Sequence, residues 1–226
     1  MADLTPCEAH WVKIVEELRD NPAIRDARAT LSDPGSTLGD APTAFAELAG
    51  RGELDKSLHE HYLRFAELGC QWSAAEPHSV HGEFWLGNIS RALPPLDVEW
   101  EVFPGGGRPA PPSSSELRVI DDGPYTGTGF FVALRLQPGV PNPELWYCDG
   151  SSDLWLLDLD FLGYFEVLGL TKGAFGWQHL FTDAPLTSEE FGGKVRRLRN
   201  MLESLPEIFP DHDYEPLRAR LAERLR

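Results

Sequence analysis

The sequence predicts an α+β fold, in which an antiparallel sheet of about five to six strands packs against flanking helices and both ends of the chain add further helices. Apolar residues recur at helical spacing near both termini and alternate with polar residues between them. The alternating segments follow one another too closely for the crossovers that parallel strands need. The 226 residues suit a single domain. Within it we expect an N-terminal helical part over residues 1–53, a core over residues 54–170 and C-terminal helices over residues 171–226.

The N-terminal part is predicted to begin with a capped helix. Thr5 and Glu8 have capping-box spacing, and Pro6 stands at the first helical position. The apolar face of this helix consists of Trp11, Val12, Val15 and Leu18. Residues 23–39 predict a short helix and a turn. A second apolar stripe predicts a core helix that ends near Gly69, and its members are Leu54, Leu58, Tyr62, Phe65 and Gly69.

Aromatic and branched residues in alternation predict the strands. The predicted strands cover residues 81–86, 97–103, 116–121, 129–136, 144–149 and 153–158. Residues 104–115 are rich in Gly, Pro and Ser and predict a loop.

Helical spacing returns from Asp160 onward. A capping box at residues 187–190 predicts a helix that ends before Pro206, and Asp213 can cap a last helix.

The charge balance limits the classes of partner. The chain has 36 acidic against 20 basic side chains, a formal net charge of −16, which disfavours binding to nucleic acid or to an anionic membrane. The longest uncharged stretch, residues 123–134, is too short to span a bilayer. The first residues lack the apolar run of a signal peptide, so we expect a cytoplasmic location. A basic protein is the expected partner.

An acidic cluster is the most suggestive group of polar residues, and it consists of Asp121, Asp122, Asp149, Asp153, Asp158 and Asp160. Paired carboxylates can perform acid/base catalysis or hold a hard cation. Asp is also common at strand ends and turns because its side chain bonds nearby amides, which is the commoner explanation.

No metal or cofactor site is predicted. His59 and His61 are two residues apart on a predicted helix and would point in different directions, whereas metal-ligand pairs on a helix are spaced by three or four. Cys7, Cys70 and Cys148 form neither a disulfide framework nor a CxxC pattern. We therefore expect no transition metal, no cofactor and no catalytic residue.

Five segments together resemble the SUKH superfamily, which includes bacterial immunity proteins of toxin systems and fungal regulators of cell-wall synthesis. The segments are HYLRF at residues 61–65 followed by Gly69, GEFWL at 82–86, GTGFF at 127–131, ELWYCD at 144–149 and DLDFLGYF at 158–165. The long N-terminal part, the Pro/Ser loop and the two helices after Thr187 depart from simpler members. The resemblance implies an α+β domain that binds other proteins, with no family catalytic residues to transfer to this chain.

The expected function is therefore that of a cytoplasmic bacterial protein-binding domain, either an immunity protein that neutralises a toxin or a related regulatory adaptor. A hydrolase or other enzyme built on the acidic cluster is the alternative from another class, and a structural subunit of a complex is a third. Exposed carboxylates at strand ends would meet a basic partner, with aromatic residues as anchors. The predicted partner-binding residues are Asp121, Asp122, Tyr125, Trp146, Asp149 and Asp153.

Overall fold

A computed structural model describes residues 4–34, 41–49, 54–89, 111–150 and 153–226. The strand predicted over residues 97–103 lies outside these ranges. So does most of the loop predicted over residues 104–115, of which residues 111–113 lead into a short 3-10 turn, Ser114–Glu116.

The described residues contain a seven-stranded sheet whose strands follow the order of the chain, each antiparallel to the next. The strands are β1 (Ile24–Leu31), β2 (Glu67–Ala74), β3 (His81–Gly87), β4 (Leu117–Asp122), β5 (Phe130–Arg135), β6 (Glu144–Asp149) and β7 (Leu154–Leu157). The α-helices are α1 (Pro6–Asp20), α2 (Ala41–Ala49), α3 (Phe161–Thr171), α4 (Gly192–Ile208) and α5 (Glu215–Arg224). This architecture confirms the predicted α+β class and the antiparallel pairing, with slightly more strands than expected.

The prediction was wrong at β1, which replaces the short helix expected within residues 23–39, and at the start of β2, where the helix from Leu54 was expected to end. The apolar stripe from Leu54 divides between a short 3-10 helix, Lys56–His61, and an extended segment that carries the buried Phe65. Gly69 does not end a helix; it lies in β2, where a Cβ atom would collide with the ring of Trp85. β2 has a period of two, in which the alternate apolar residues Leu68, Cys70, Trp72 and Ala74 face the core.

The terminal helices form as predicted, with two corrections at their ends. The Thr5 capping box is complete, since the Thr5 hydroxyl accepts from Glu8 N and the Glu8 carboxylate accepts from Thr5 N. The box at residues 187–190 does not form, because Ser188 makes no capping bond and a 3-10 turn, Glu189–Phe191, precedes α4. α4 also continues through Pro206. Pro206 has no backbone N–H to donate to the Leu202 carbonyl, and this carbonyl instead accepts a hydrogen bond from the Arg218 side chain at 3.1 Å.

One face of the sheet and the helices share a large apolar core. Core residues range from Trp11 in α1 to Leu221 in α5, and they include alternate strand residues such as Val132 and Tyr147. The opposite face has a smaller cluster of Leu117, Ala133 and Trp146. Among the described residues, no helix has the length and apolar character needed to cross a membrane.

Candidate functional site

Four residues of the predicted acidic cluster gather at one end of the sheet, namely Asp121, Asp122, Asp149 and Asp153, whereas Asp158 and Asp160 follow β7 at the other end. Asp122 lies opposite Phe131, which in turn lies opposite Cys148, while Phe130 lies opposite Asp149. The end of β4, the start of β5 and the end of β6 therefore meet. We call this region the loop end and define it as residues 121–130 and 148–150 together with Asp153.

Asp121 is buried inside the loop end, so the expectation that its carboxylate is exposed at a strand end is wrong. Only 1% of the residue is exposed. Its Oδ1 accepts a hydrogen bond from Trp85 N at 2.8 Å, and its Oδ2 accepts one from the Tyr164 hydroxyl at 2.5 Å. Burial raises the pKa of the Asp121 carboxyl to about 7, although both hydrogen bonds oppose that shift.

The seam between β3 and β4 explains why a carboxyl group occupies this buried position. In the described ladder these strands pair at a single position, Leu86 opposite Asp121, next to a bulge in β4 between Val119 and Asp121. The Asp121 side chain supplies the acceptor for Trp85 N that a longer ladder would have supplied from the backbone. Asp121 therefore joins β3, β4 and α3.

Glu83 is a buried residue of the site that the sequence did not indicate. It is 1% exposed, and its two carboxylate oxygens accept from Tyr125 N at 2.6 Å and from Thr126 N at 3.0 Å. These amides belong to the loop between β4 and β5, more than 40 residues away in the chain. An isolated acidic residue in an apolar strand is the sequence signal for such a role, but nothing in the sequence identifies its partners.

Tyr125 is partly exposed and lies on the face of the sheet opposite the large core, which we call the outer face. Its ring meets Trp85 edge to face, with 5.1 Å between centroids, and the Arg28 guanidinium stacks over it at 4.1 Å. The Tyr125 hydroxyl shares a hydrogen bond with Thr30 Oγ1 at 2.5 Å. Tyr125 therefore presents a fixed aromatic surface next to an exposed guanidinium.

Asp149 and Trp146 also differ from the prediction, because both side chains are buried. The Asp149 carboxylate is 3% exposed and pairs with Lys194 from the start of α4. His179 Nε2 lies 3.6 Å from the same carboxylate, and burial lowers the pKa of His179 to about 4. Trp146 is 2% exposed within the smaller apolar cluster, and its indole N–H donates to Glu144 at 3.0 Å. Neither side chain is accessible to a partner.

Three of the six predicted partner-binding residues are accessible. Asp153 is exposed, while Asp122 and Tyr125 are partly exposed. All three lie in the loop end. Asp122 and Tyr125 lie where β4 leads into β5, and Asp153 lies between β6 and β7. The accessible part of the predicted surface is thus Tyr125, the Asp153 carboxylate and part of the Asp122 carboxylate, whose Oδ1 is buried.

A cavity of about 260 Å³ lies beside the β3–β4 seam. Asp121 and Asp122 line it together with Asn88, His61 and Phe161, whereas Asp149 and Asp153 do not. Only two of the six residues of the predicted acidic cluster therefore converge on a concave site.

A wider groove of about 620 Å³ lies between α1 and α3 and is lined by His10, His59 and His61 as well as Trp11. In the parts of the chain that the structure describes, no group of three or more His, Cys, Asp or Glu residues is arranged to hold a metal ion.

No protein-family model, curated protein or solved structure matches the chain significantly, so its function has to be inferred from its own residues.

Proposed function

We propose that this chain is a protein-binding domain of the SUKH type that binds a basic protein through its loop end. In this role it would act in the bacterial cytoplasm as an immunity protein that occludes a toxin, or as a related regulatory adaptor. The observation that carries the proposal is the attachment of the Tyr125 loop to the buried Glu83 carboxylate through two charge-assisted hydrogen bonds.

Attachment of the loop favours binding because it reduces the entropy lost when a partner docks. A loop that is ordered before binding loses less conformational freedom on association than a flexible one. Glu83 fixes the backbone of Tyr125, while Trp85 and Arg28 hold its ring. Tyr, Trp and Arg are the residue types that most often dominate the binding energy of protein interfaces.

Charge gives the proposed surface its preference for a basic partner. Asp122 and Asp153 are accessible at the loop end, in a chain whose formal net charge is −16. A negative field of this kind accelerates the approach of a cationic protein and repels nucleic acid. Proteins that act on nucleic acid commonly have basic surfaces, which fits the proposed toxin partner.

The proposal is tested by isolating the partner and weakening the anchor. The full chain is used to recover a protein from the source cells, and the recovered protein is then purified and titrated against Tyr125→Ala. We expect the dissociation constant to rise on the order of tenfold or more, as for loss of an interface anchor. Leu4→Ala is the matched control because Leu4 is also an exposed large side chain, at 39%, but lies outside the loop end. Equal affinity of wild type and Tyr125→Ala would remove Tyr125 from the interface.

Catalysis by a carboxyl group is the second candidate function, and the cavity at the β3–β4 seam favours it. Asp121 lines that cavity with its pKa raised to about 7 by burial, a value suited to proton transfer near neutral pH. Against this, both Asp121 oxygens already accept hydrogen bonds from Trp85 and Tyr164. A substrate turned over by the wild type and not by Asp121→Asn would favour this function over protein binding.

A further inference from the structure

The edge strand β1 has the properties of an interaction surface. Within the described residues it forms a ladder with β2 alone and ends the sheet on that side. Arg25, Asp26, Arg28 and Leu31 are exposed along its eight residues. A long exposed edge offers backbone N–H and C=O groups to another strand.

The charges of β1 are arranged to complement a second copy of the same strand. Asp26 lies opposite Ser73 and Arg28 opposite Gln71, which places both on the outer face, while Ala27 between them faces the core. If two β1 strands pair antiparallel with Ala27 opposite Ala27, Asp26 of each copy lies opposite Arg28 of the other. Opposite charges in directly facing positions stabilise a pair of strands.

We propose that the protein forms a symmetric dimer in which the β1 edges of two copies pair antiparallel about Ala27. The two-fold axis is perpendicular to the sheet, so residue i of one copy meets residue j of the other and the reverse. The result is one continuous sheet across the dimer, with two Asp26–Arg28 ion pairs on its outer face and the small Ala27 side chains at its centre.

The same charges select this register over its neighbours. The two-fold axis places the outer faces of both copies on the same side of the joint sheet. A change of register must therefore keep outer-face residues of one copy opposite outer-face residues of the other. The register centred on position 26 would bring two Asp26 carboxylates face to face, and the register centred on position 28 would do the same for two Arg28 guanidinium groups. Both place like charges directly opposite and are disfavoured.

Reversal of the charge at position 26, at position 28 or at both tests the proposal. Asp26→Arg makes positions 26 and 28 both positive, and Arg28→Asp makes both negative, so each variant repels a copy of itself. A mixture of the two variants restores two opposite-charge pairs, as does the double variant Asp26→Arg/Arg28→Asp. The matched control Glu76→Arg makes the same charge change as Asp26→Arg at an exposed turn position between β2 and β3.

Sedimentation equilibrium of the full chain provides the measurement. We expect wild type and Glu76→Arg to dimerise with similar constants, and each single variant to dimerise on the order of tenfold more weakly. We expect the equimolar mixture to form a heterodimer and the double variant to recover a homodimer. Wild type that stays monomeric at the highest concentration reached would overturn the proposal. That result is expected if the β1 edge pairs with a strand of a different protein instead of a second copy. Single variants that dimerise like wild type, or a mixture no more associated than its components, would also overturn it.

Discussion

The Tyr164 hydroxyl donates a hydrogen bond of 2.5 Å to Oδ2 of Asp121, so α3 and β4 are joined through a carboxyl group that is 1% exposed. The other oxygen of the carboxyl accepts from Trp85 N of β3. This position is where the sheet is least continuous, because the described β3–β4 ladder has one paired position. The stability of the seam should therefore depend on the protonation state of Asp121.

Asp121→Asn should change how stability depends on pH. The pKa of Asp121 is raised by burial to about 7 in the folded chain, above the ordinary aspartate value of 3.8. Its favourable contribution is therefore fully present below the unfolded pKa and is lost as pH rises through the folded value. Asparagine does not ionise. Relative to wild type, the variant should gain roughly 4 kcal/mol of unfolding free energy between about pH 4 and pH 8.

Urea unfolding of both proteins across this pH range measures the change. A constant difference between Asp121→Asn and wild type at every pH would mean that Asp121 does not titrate in this window.

Glu83→Gln should loosen the Tyr125 loop without unfolding the sheet. Both Glu83 oxygens accept loop amides, and a glutamine side chain offers one carbonyl oxygen and no negative charge. One partly buried amide then lacks its acceptor, at a cost of up to about 1–3 kcal/mol. Hydrogen exchange at Tyr125 and Thr126 should accelerate, while exchange in β5 and β6 should change little.

Glu60→Gln, at an exposed position, is the control for this substitution. Unchanged exchange at both loop amides in Glu83→Gln would show that the carboxylate does not hold the loop.

Glu8→Gln should destabilise the chain far more than an equivalent change at the surface. The Glu8 side chain is 0% exposed and bonds Arg64 through the side-chain and backbone nitrogens of that residue. Removing one partner of a fully buried ion pair costs on the order of 3 kcal/mol, and we expect somewhat less here because the Arg64 side chain is 27% exposed. Glu215→Gln is the control, because Glu215 is 73% exposed in its pair with Arg218 and should contribute less than about 1 kcal/mol.

The stabilisation by the Glu8 carboxylate should also be lost in acid. Burial opposes its ionisation, but the bonds from Arg64 and Thr5 outweigh burial and lower its pKa. The stabilisation is present above the unfolded pKa and disappears as pH falls through the folded value. Thermal melts of Glu8→Gln and wild type should therefore converge at low pH. A gap that persists in acid would contradict a role for the Glu8 charge.

Local signals were sufficient to predict much of the fold. The capping box at Thr5 and the alternation in β6 are short patterns whose physical basis lies within a few residues, and both elements form. β1 was missed because the inward-facing residues in its central part, Ala27 and Ala29, are too small to give a strong alternation. β2 was missed because Gly69, its third residue, was interpreted as the end of a helix, and no element was predicted over residues 70–74.

The site was less predictable than the fold, since it depends on contacts between distant parts of the chain. Asp121, Asp149 and Trp146 were expected at the surface because strand ends commonly lie there. Asp121 is instead covered by α3, through Tyr164, and Asp149 by the start of α4, through Lys194. No spacing rule links Glu83 to Tyr125.

The most direct test of the proposed function is the rate at which the purified basic partner associates with wild type and with Asp122→Lys/Asp153→Lys at two salt concentrations. We expect the charge-reversed variant to associate several-fold more slowly and with a weaker dependence on salt, because both carboxylates help to attract the partner. Asp183→Lys/Glu223→Lys makes the same change in net charge at two exposed positions outside the loop end and should retain most of the wild-type rate. If Asp122→Lys/Asp153→Lys associates as fast as wild type at both salt concentrations, the loop end is not the surface that meets the partner.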